Sequence, residues 1–412
     1  MASEVLTPTR PPQQAPGAIR WVRDNLFNTW YNAIITVVLS VVIVQALTGF
    51  LGWALTTTGW AAVTTNLKLF FVGSYPPGEV WRVEVGIWIV ALLLGLSAGI
   101  WRGTALMVAL GFGTLLTALL VVPPLLPPSG LNYTIPPLLF LIGTLALLAV
   151  GYPLGHRFSL QVRWPVVAAW LLSFPLVMRF LYYGVGDQGP LAAVNTNLWG
   201  GLLVTMALTI VGIVASFPLG VLLALGRRSK LPIVRLFCTA YIETVRGVPL
   251  ITFFFMGQLL LPLFLPGEIR VDNLMRAMIA VTLFSAAYLA ENVRGGLQAI
   301  PRGQTEAAQA LGLSYVQTTL LITLPQALRA VIPALVGQFI SLFKDTSLVS
   351  IVGILDLIGI AAAVRAQPQW LGTPGGVWRE VFFFVAFVYF IFSFTMSRVS
   401  LRIERNLGVG RR

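Results

Sequence analysis

Cysteine and histidine are close to absent from this chain. Cys238 is the only cysteine, which excludes an intrachain disulfide and any cysteine metal cluster. His156 is the only histidine; it stands between Gly155 and Arg157 in a predicted loop, where a solvated side chain is expected rather than a ligand. Ser285 and Ser347 therefore lack a histidine-based apparatus. Charge is also scarce: charged residues make up 10% of the sequence, where a soluble domain carries about 25%. The 14 carboxylates form no spaced acidic cluster of the kind that binds a hard metal ion. No glycine-rich loop runs into a lysine and a hydroxyl residue, so no nucleotide-phosphate cradle is present; Gly295-Gly296 and Gly375-Gly376 read as turns. These absences argue against an enzyme, and neither a cofactor nor a metal is expected in this chain. The net charge of +13 comes without a basic groove interleaved with aromatics, so nucleic acid is not an expected partner. Residues 1–18 are polar and proline-rich with no apolar core, which predicts a disordered tail rather than a signal peptide.

What is abundant is apolar sequence. Hydrophobic residues are 57% of the 412, and runs of helix-spanning length recur. This predicts an all-α, polytopic membrane protein in a lipid bilayer. About ten transmembrane helices are expected, near 31–50, 85–100, 104–122, 133–152 and 165–183, then 201–225, 232–260, 271–292, 331–350 and 379–397. The run Pro123-Pro124-Leu125-Leu126-Pro127-Pro128 should end the third. The polar stretch 184–200 reads as a boundary between modules. The expected organisation is a tail at 1–30, an accessory region of about five helices at 31–190, a core at 195–405 and a basic tail at 406–412. Within 351–378 the apolar run is short and broken by Asp356, which fits a re-entrant or interfacial helix. Basic residues fall mainly on one side: Arg20 and Arg23, Arg102, Arg157 and Arg163, Arg227, Arg228 and Lys230, Arg294, Arg302 and Arg329, then Arg398, Arg402, Arg405, Arg411 and Arg412. Lys68, Arg82 and Arg270 fall on the other. That asymmetry puts both termini in the cytoplasm.

A few charges fall at membrane depth. Glu243 and Arg246 lie three apart on one helix face, Lys344 and Asp345 lie near the end of the ninth segment, and Arg276 and Glu291 flank the eighth. Such charges face a bundle interior, a partner or a water-filled path. Two readings stay open here: a translocation path or gate, and charge pairs that fix helices together. Gly247-Val248-Pro249 should break the seventh helix just after Arg246, a device common around transported solutes.

One polar interval, 293–330, separates two very apolar segments and falls on the cytoplasmic side. It carries Glu306-Ala307-Ala308, then Gly312, Ile322 and Leu324-Pro325. Residues 306–311 favour helix, Gly312 interrupts it, and Pro325 restricts the helix beyond it. An amphipathic surface helix with no special task is the bland reading of this pattern. The spacing resembles the signature loop of ABC importer permeases: Glu-Ala-Ala, three residues, Gly, nine residues, Ile, one residue, Leu-Pro. The first half with its extra spans resembles the longer permeases of general L-amino-acid uptake systems, and the runs flanking the loop resemble the polar amino-acid branch, including Glu243-Thr244-Val245-Arg246-Gly247-Val248-Pro249 and Lys344-Asp345-Thr346-Ser347-Leu348. The resemblance covers about 195–405.

It implies a five-helix permease core in a bacterial inner membrane, paired with a second, similar permease chain. It implies that the Glu306–Leu311 helix docks on a cytoplasmic ATPase, present in two copies, where ATP and Mg belong. A periplasmic binding protein would deliver the amino acid. An ion-coupled secondary transporter using Glu243, Glu291 or Asp345 is the alternative from another class, and a structural membrane subunit is a third.

Overall fold

The computed structural model describes residues 17–121, 136–182, 192–266 and 271–407. The tail before residue 17, the Pro123–Pro128 run, most of the 184–200 boundary, Arg270 and the basic residues after 407 lie outside the described residues.

Two units are distinguished, Met1–Thr58 and Gly59–Arg412. The first holds α1 (Ala18–Leu26) and α2 (Trp30–Thr56). Thr29 starts α2 by accepting a hydrogen bond from the Asn32 amide. This 27-residue helix is apolar on every face and buries none of its residues, the pattern of a helix solvated by lipid.

The second unit begins with two short helices, α3 (Trp60–Thr65) and α4 (Leu67–Val72). Four longer ones follow: α5 (Trp81–Trp101), α6 (Gly103–Val121), α7 (Pro137–Arg157) and α8 (Ser159–Tyr182). Helices α5 and α7 run parallel and almost backbone to backbone. Gly95 and Gly99 on one face Gly151 and Gly155 on the other. A Cβ on Gly99 would lie 2.2 Å from the Tyr152 carbonyl oxygen, and one on Gly155 would lie 2.2 Å from that of Leu96. Lipid offers no hydrophobic drive for helix association, so close van der Waals approach through small residues supplies it.

The remaining helices are α9 (Gly201–Arg227), α10 (Pro232–Arg246), α11 (Leu250–Phe264), α12 (Asn273–Ala299), α13 (Arg302–Ala310), α14 (Tyr315–Val352), α15 (Leu357–Arg365) and α16 (Trp378–Leu407). The seventh expected segment is indeed broken: α10 and α11 meet at 107° across Gly247-Val248-Pro249. Val248 precedes a proline and is pushed out of the helical region. Among the described residues, eight helices are long and apolar enough to cross a membrane, or nine if the bent pair is one span. The remaining expected segment is α6, Gly103–Val121, apolar over Gly103–Thr117 where its side chains are described.

Two edges differ from expectation. Gly295 and Gly296 make no turn but lie inside α12; a Cβ on Gly296 would meet the Ala327 carbonyl oxygen at 2.7 Å, so a glycine there permits close packing on α14. Helix α14 begins at Tyr315, well before residue 331. The 351–378 interval folds back as α15, whose nine residues span about 13 Å and cannot cross a bilayer. Asp356 caps it by accepting from the Gly359 amide at 2.9 Å.

Three buried clusters hold the unit. One joins Ala224, Ile242, Leu289, Val293 and Ala327. A second joins Phe70 and Val63 to Ile360, Val381 and Val385. The third joins Tyr75, Val80 and Leu181 to Trp199, Phe254 and Val281. Residues 59–80 thus share their cores with the second half of the chain.

Candidate functional site

Helix α13 is short, and its outer face is bare. Glu306 and Ala307 are exposed, while Ala308 is buried, and the helix packs on the Thr318–Thr323 turn of α14. Gly312 ends the helix at φ +85°, a left-handed conformation that costs glycine nothing. The Gly312 amide donates to the Gln309 carbonyl at 2.9 Å and the Leu313 amide to that of Ala308 at 3.1 Å, the paired bonds of a Schellman cap. Ser314 and Gln317 then form a reciprocal capping box that starts α14. Leu311 is 82% exposed and Val316 61% exposed, so apolar side chains surround the glycine on the outside. The motif spacing does not single out Val316.

The end of the motif lies elsewhere than expected. Ile322, Leu324 and Pro325 belong to α14, with Ile322 and Leu324 half-buried and Pro325 exposed. Pro325 stops nothing. Its absent N–H falls beside the wide π-turn Thr318–Thr323, where the α-helical bonding is already shifted by one residue.

The charges at membrane depth converge from three helices. Arg227, in the last turn of α9, reaches Glu243 Oε1 at 2.6 Å and Glu291 Oε2 at 3.1 Å. Arg246 stands 4.0 Å from Glu291 and lies over the Tyr288 ring at 5.5 Å. Arg294 donates to the other oxygen of Glu291. Glu243 and Arg246, expected to share a helix face, therefore turn to different partners. The bend after Arg246 brings α10 against α9 and α12. Three guanidinium groups surround two carboxylates, leaving one positive charge over. By sequence position alone, Arg227 and Arg294 are only loop cations.

Lys344 and Asp345 stand apart from that cluster; no ion pair among the described residues joins them to it. Gln338, one and a half turns earlier on α14, locks α14 to α12. It accepts from Asn292 at 2.7 Å and donates to the Ser285 carbonyl and hydroxyl at 2.9 and 3.1 Å. Ser285 is thus a structural hydrogen-bond partner. Toward the other end of α12, Arg276 donates to the Gln258 carbonyl at 2.6 Å, which the π-turn Met256–Leu260 leaves available. Among the described residues, no group of three or more His, Cys, Asp or Glu side chains could hold a metal ion.

A broken helix pair, a charge cluster spanning three helices and a bare helix between two long apolar ones place the chain among polytopic helical membrane proteins. Residues 216–409 match the family described as "Binding-protein-dependent transport system inner membrane component". The inner membrane amino-acid ABC transporter permease protein YhdY of Escherichia coli K12 is 37% identical over 96% of this chain and 94% of its own length. The glutamate/glutamine/aspartate/asparagine transport system permease protein BztC of Rhodobacter capsulatus is 38% identical over 98% of this chain and 97% of its own. A probable glutamine ABC transporter permease protein, GlnP of Bacillus subtilis, is 36% identical over 50% of this chain but 92% of its own length. The chain belongs to this family, as a permease subunit of an ABC-type amino-acid importer, a multi-pass protein of the bacterial inner membrane. It is a transport subunit.

Proposed function

We propose that this subunit forms half of a translocation path for polar L-amino acids and that α13 is the point through which a separate ATPase drives it. The observation that carries this is the outer face of α13: Glu306 and Ala307 are exposed, and Gly312 turns the chain so that Leu311 and Val316 are presented beside them. An isolated surface helix gains nothing from bare apolar residues at its end, whereas a docking helix does. Glu306 meets a basic or hydrogen-bonding group of the ATPase. Ala307 and Ala308 keep the approach close, and Ile322, Leu324 and Pro325 shape the first turns of α14 that carry the movement inward.

The remaining partners are those of the family. A second, similar permease completes the path, two ATPase copies bind ATP and Mg, and a periplasmic protein delivers the amino acid. Helix α6 completes ten passes with both termini in the cytoplasm, in keeping with the charge asymmetry. The cluster of Arg227, Glu243, Arg246, Glu291 and Arg294 is the gate at the cytoplasmic side, and Lys344 and Asp345 face the path further out. The substrate class rests on the relative named for glutamate, glutamine, aspartate and asparagine transport.

The test uses the importer reconstituted in liposomes. Glu306→Ala and Gly312→Ala are expected to lower both substrate-stimulated ATP hydrolysis and uptake about fivefold to tenfold, with membrane insertion and subunit assembly unchanged. Wild-type coupling in both variants would sink the assignment of α13. Uptake by this chain without any ATPase would point to the ion-coupled alternative.

A further inference from the structure

The accessory helices gather positive charge at one end, and no ion pair among the described residues neutralises it. Helices α5 and α7 finish side by side there, at Trp101 and Arg157. Arg102 places its guanidinium 3.0 Å from both ring nitrogens of His156. Arg157 follows His156 in the chain and lies over the Phe158 ring at 5.5 Å. No acidic residue occurs between Glu84 and Asp187. The neighbouring helix brings a further cation there: Arg402 of α16 reaches the Met107 sulfur on α6, while Glu404 accepts from the Ser400 hydroxyl at 3.0 Å.

Packing for stability alone does not account for this arrangement. Arg102 is the only non-glycine residue at positive φ among the described residues, with φ 48° and ψ −147°. That region is close to forbidden for a side chain with a Cβ and costs about 1–3 kcal/mol. Glycine, free of that cost, stands at the next position. The strain holds a permanent cation against the only histidine of the chain, both exposed to solvent. Exposed Trp101 and Phe158 flank the pair, side chains that lodge at the level of lipid headgroups.

We propose that Arg102, His156 and Arg157 form a binding site for the phosphodiester headgroup of an anionic phospholipid, with Trp101 and Phe158 against its acyl chains. Charge complementarity selects the ligand: Arg102 and His156 meet where α5 and α7 end, Arg157 is the next residue of the chain, and at the membrane surface the phosphate of a phospholipid is the anion at hand. The accessory helices then have a task of their own, seating the importer on anionic lipid. This rests on the spanning helices and not on the assignment of α13, so either can fail alone.

Native mass spectrometry of the assembled importer, titrated with phosphatidylglycerol or phosphatidylcholine, reads the site directly. Wild type is expected to retain phosphatidylglycerol preferentially. Each cation removed, in Arg102→Gln and Arg157→Gln, should weaken that retention about fivefold. The control Arg365→Gln removes the same charge from α15 and should leave retention unchanged. Arg102→Gly separates binding from folding: it relieves the backbone strain and should raise the unfolding temperature in phosphatidylcholine while lowering phosphatidylglycerol retention. Equal retention of the two lipids by wild type, or an undiminished phosphatidylglycerol preference in Arg102→Gly, would overturn the proposal. Displacement of the lipid by millimolar inorganic phosphate would overturn it in favour of a free-anion site.

Discussion

Glu291 is one carboxylate facing three arginines, at 20% side-chain exposure. Removing its charge leaves Arg227, Arg246 and Arg294 close together with only Glu243 between them, so the loss is largely one of repulsion released. Glu291→Gln keeps the shape and is expected to cost about 1–3 kcal/mol of stability, read as a lower unfolding midpoint in detergent. If the cluster is the gate, the same variant should also raise ATP hydrolysis in the absence of substrate. A lower midpoint with unchanged basal hydrolysis would leave the cluster a helix tie only. Little of this site is legible residue by residue. Glu243, Arg246 and Glu291 stand out because a charge in an apolar run is expensive anywhere. Arg227 does not, since it ends an apolar run where a cation belongs, and nothing local ties it to Glu291, 64 positions away.

Elements are more legible than contacts. The long apolar runs predict the spans because a membrane helix must satisfy its own backbone, and the break at Gly247-Val248-Pro249 is a consequence of proline geometry. Proline fails as a signal at Pro325, where the π-turn absorbs the missing donor. Glycine fails at Gly295 and Gly296, which lie inside α12; at Gly296 the need is close approach and not a turn. The same need at the α5–α7 contact is hidden in the sequence, since spacing four apart means little until a partner helix is known. Gly99→Leu places a side chain where a Cβ already meets the Tyr152 oxygen at 2.2 Å. Overpacking of about 1–3 kcal/mol is expected, seen as proteolytic opening between α5 and α7 with transport-core assembly retained. Between α12 and α14, Gln338→Leu removes three hydrogen bonds and strands Asn292. Since these two helices flank α13, the expected result is uptake reduced more than ATP hydrolysis.

At the scale of the whole molecule, the accessory region is not a simple prefix to a permease. Phe70 is fully buried and packs edge-on against Phe384 with centroids 5.0 Å apart. Phe70→Ala, in the first half of the chain, is therefore expected to destabilise the second half by about 3–5 kcal/mol, measured as loss of the assembled importer on gel filtration. Nothing in the sequence signals this contact, because α3 and α4 are too short and too mixed to announce their burial. The family, by contrast, is readable from one motif, in which Gly312 takes a left-handed turn, Ala308 faces inward and Glu306 stands exposed.

Attachment of the motor at α13 is tested most directly by cross-linking. With Cys238 replaced by Ser, a single cysteine is introduced by Leu311→Cys or by Ala308→Cys, and the importer is treated with a short bifunctional thiol–amine reagent. Residue 311 is exposed and residue 308 is buried. The expected result is a covalent product between the permease and the ATPase subunit from Leu311→Cys, diminished on ATP binding or hydrolysis, and none from Ala308→Cys. Absence of any product from Leu311→Cys in an importer that still hydrolyses ATP on substrate addition would contradict it.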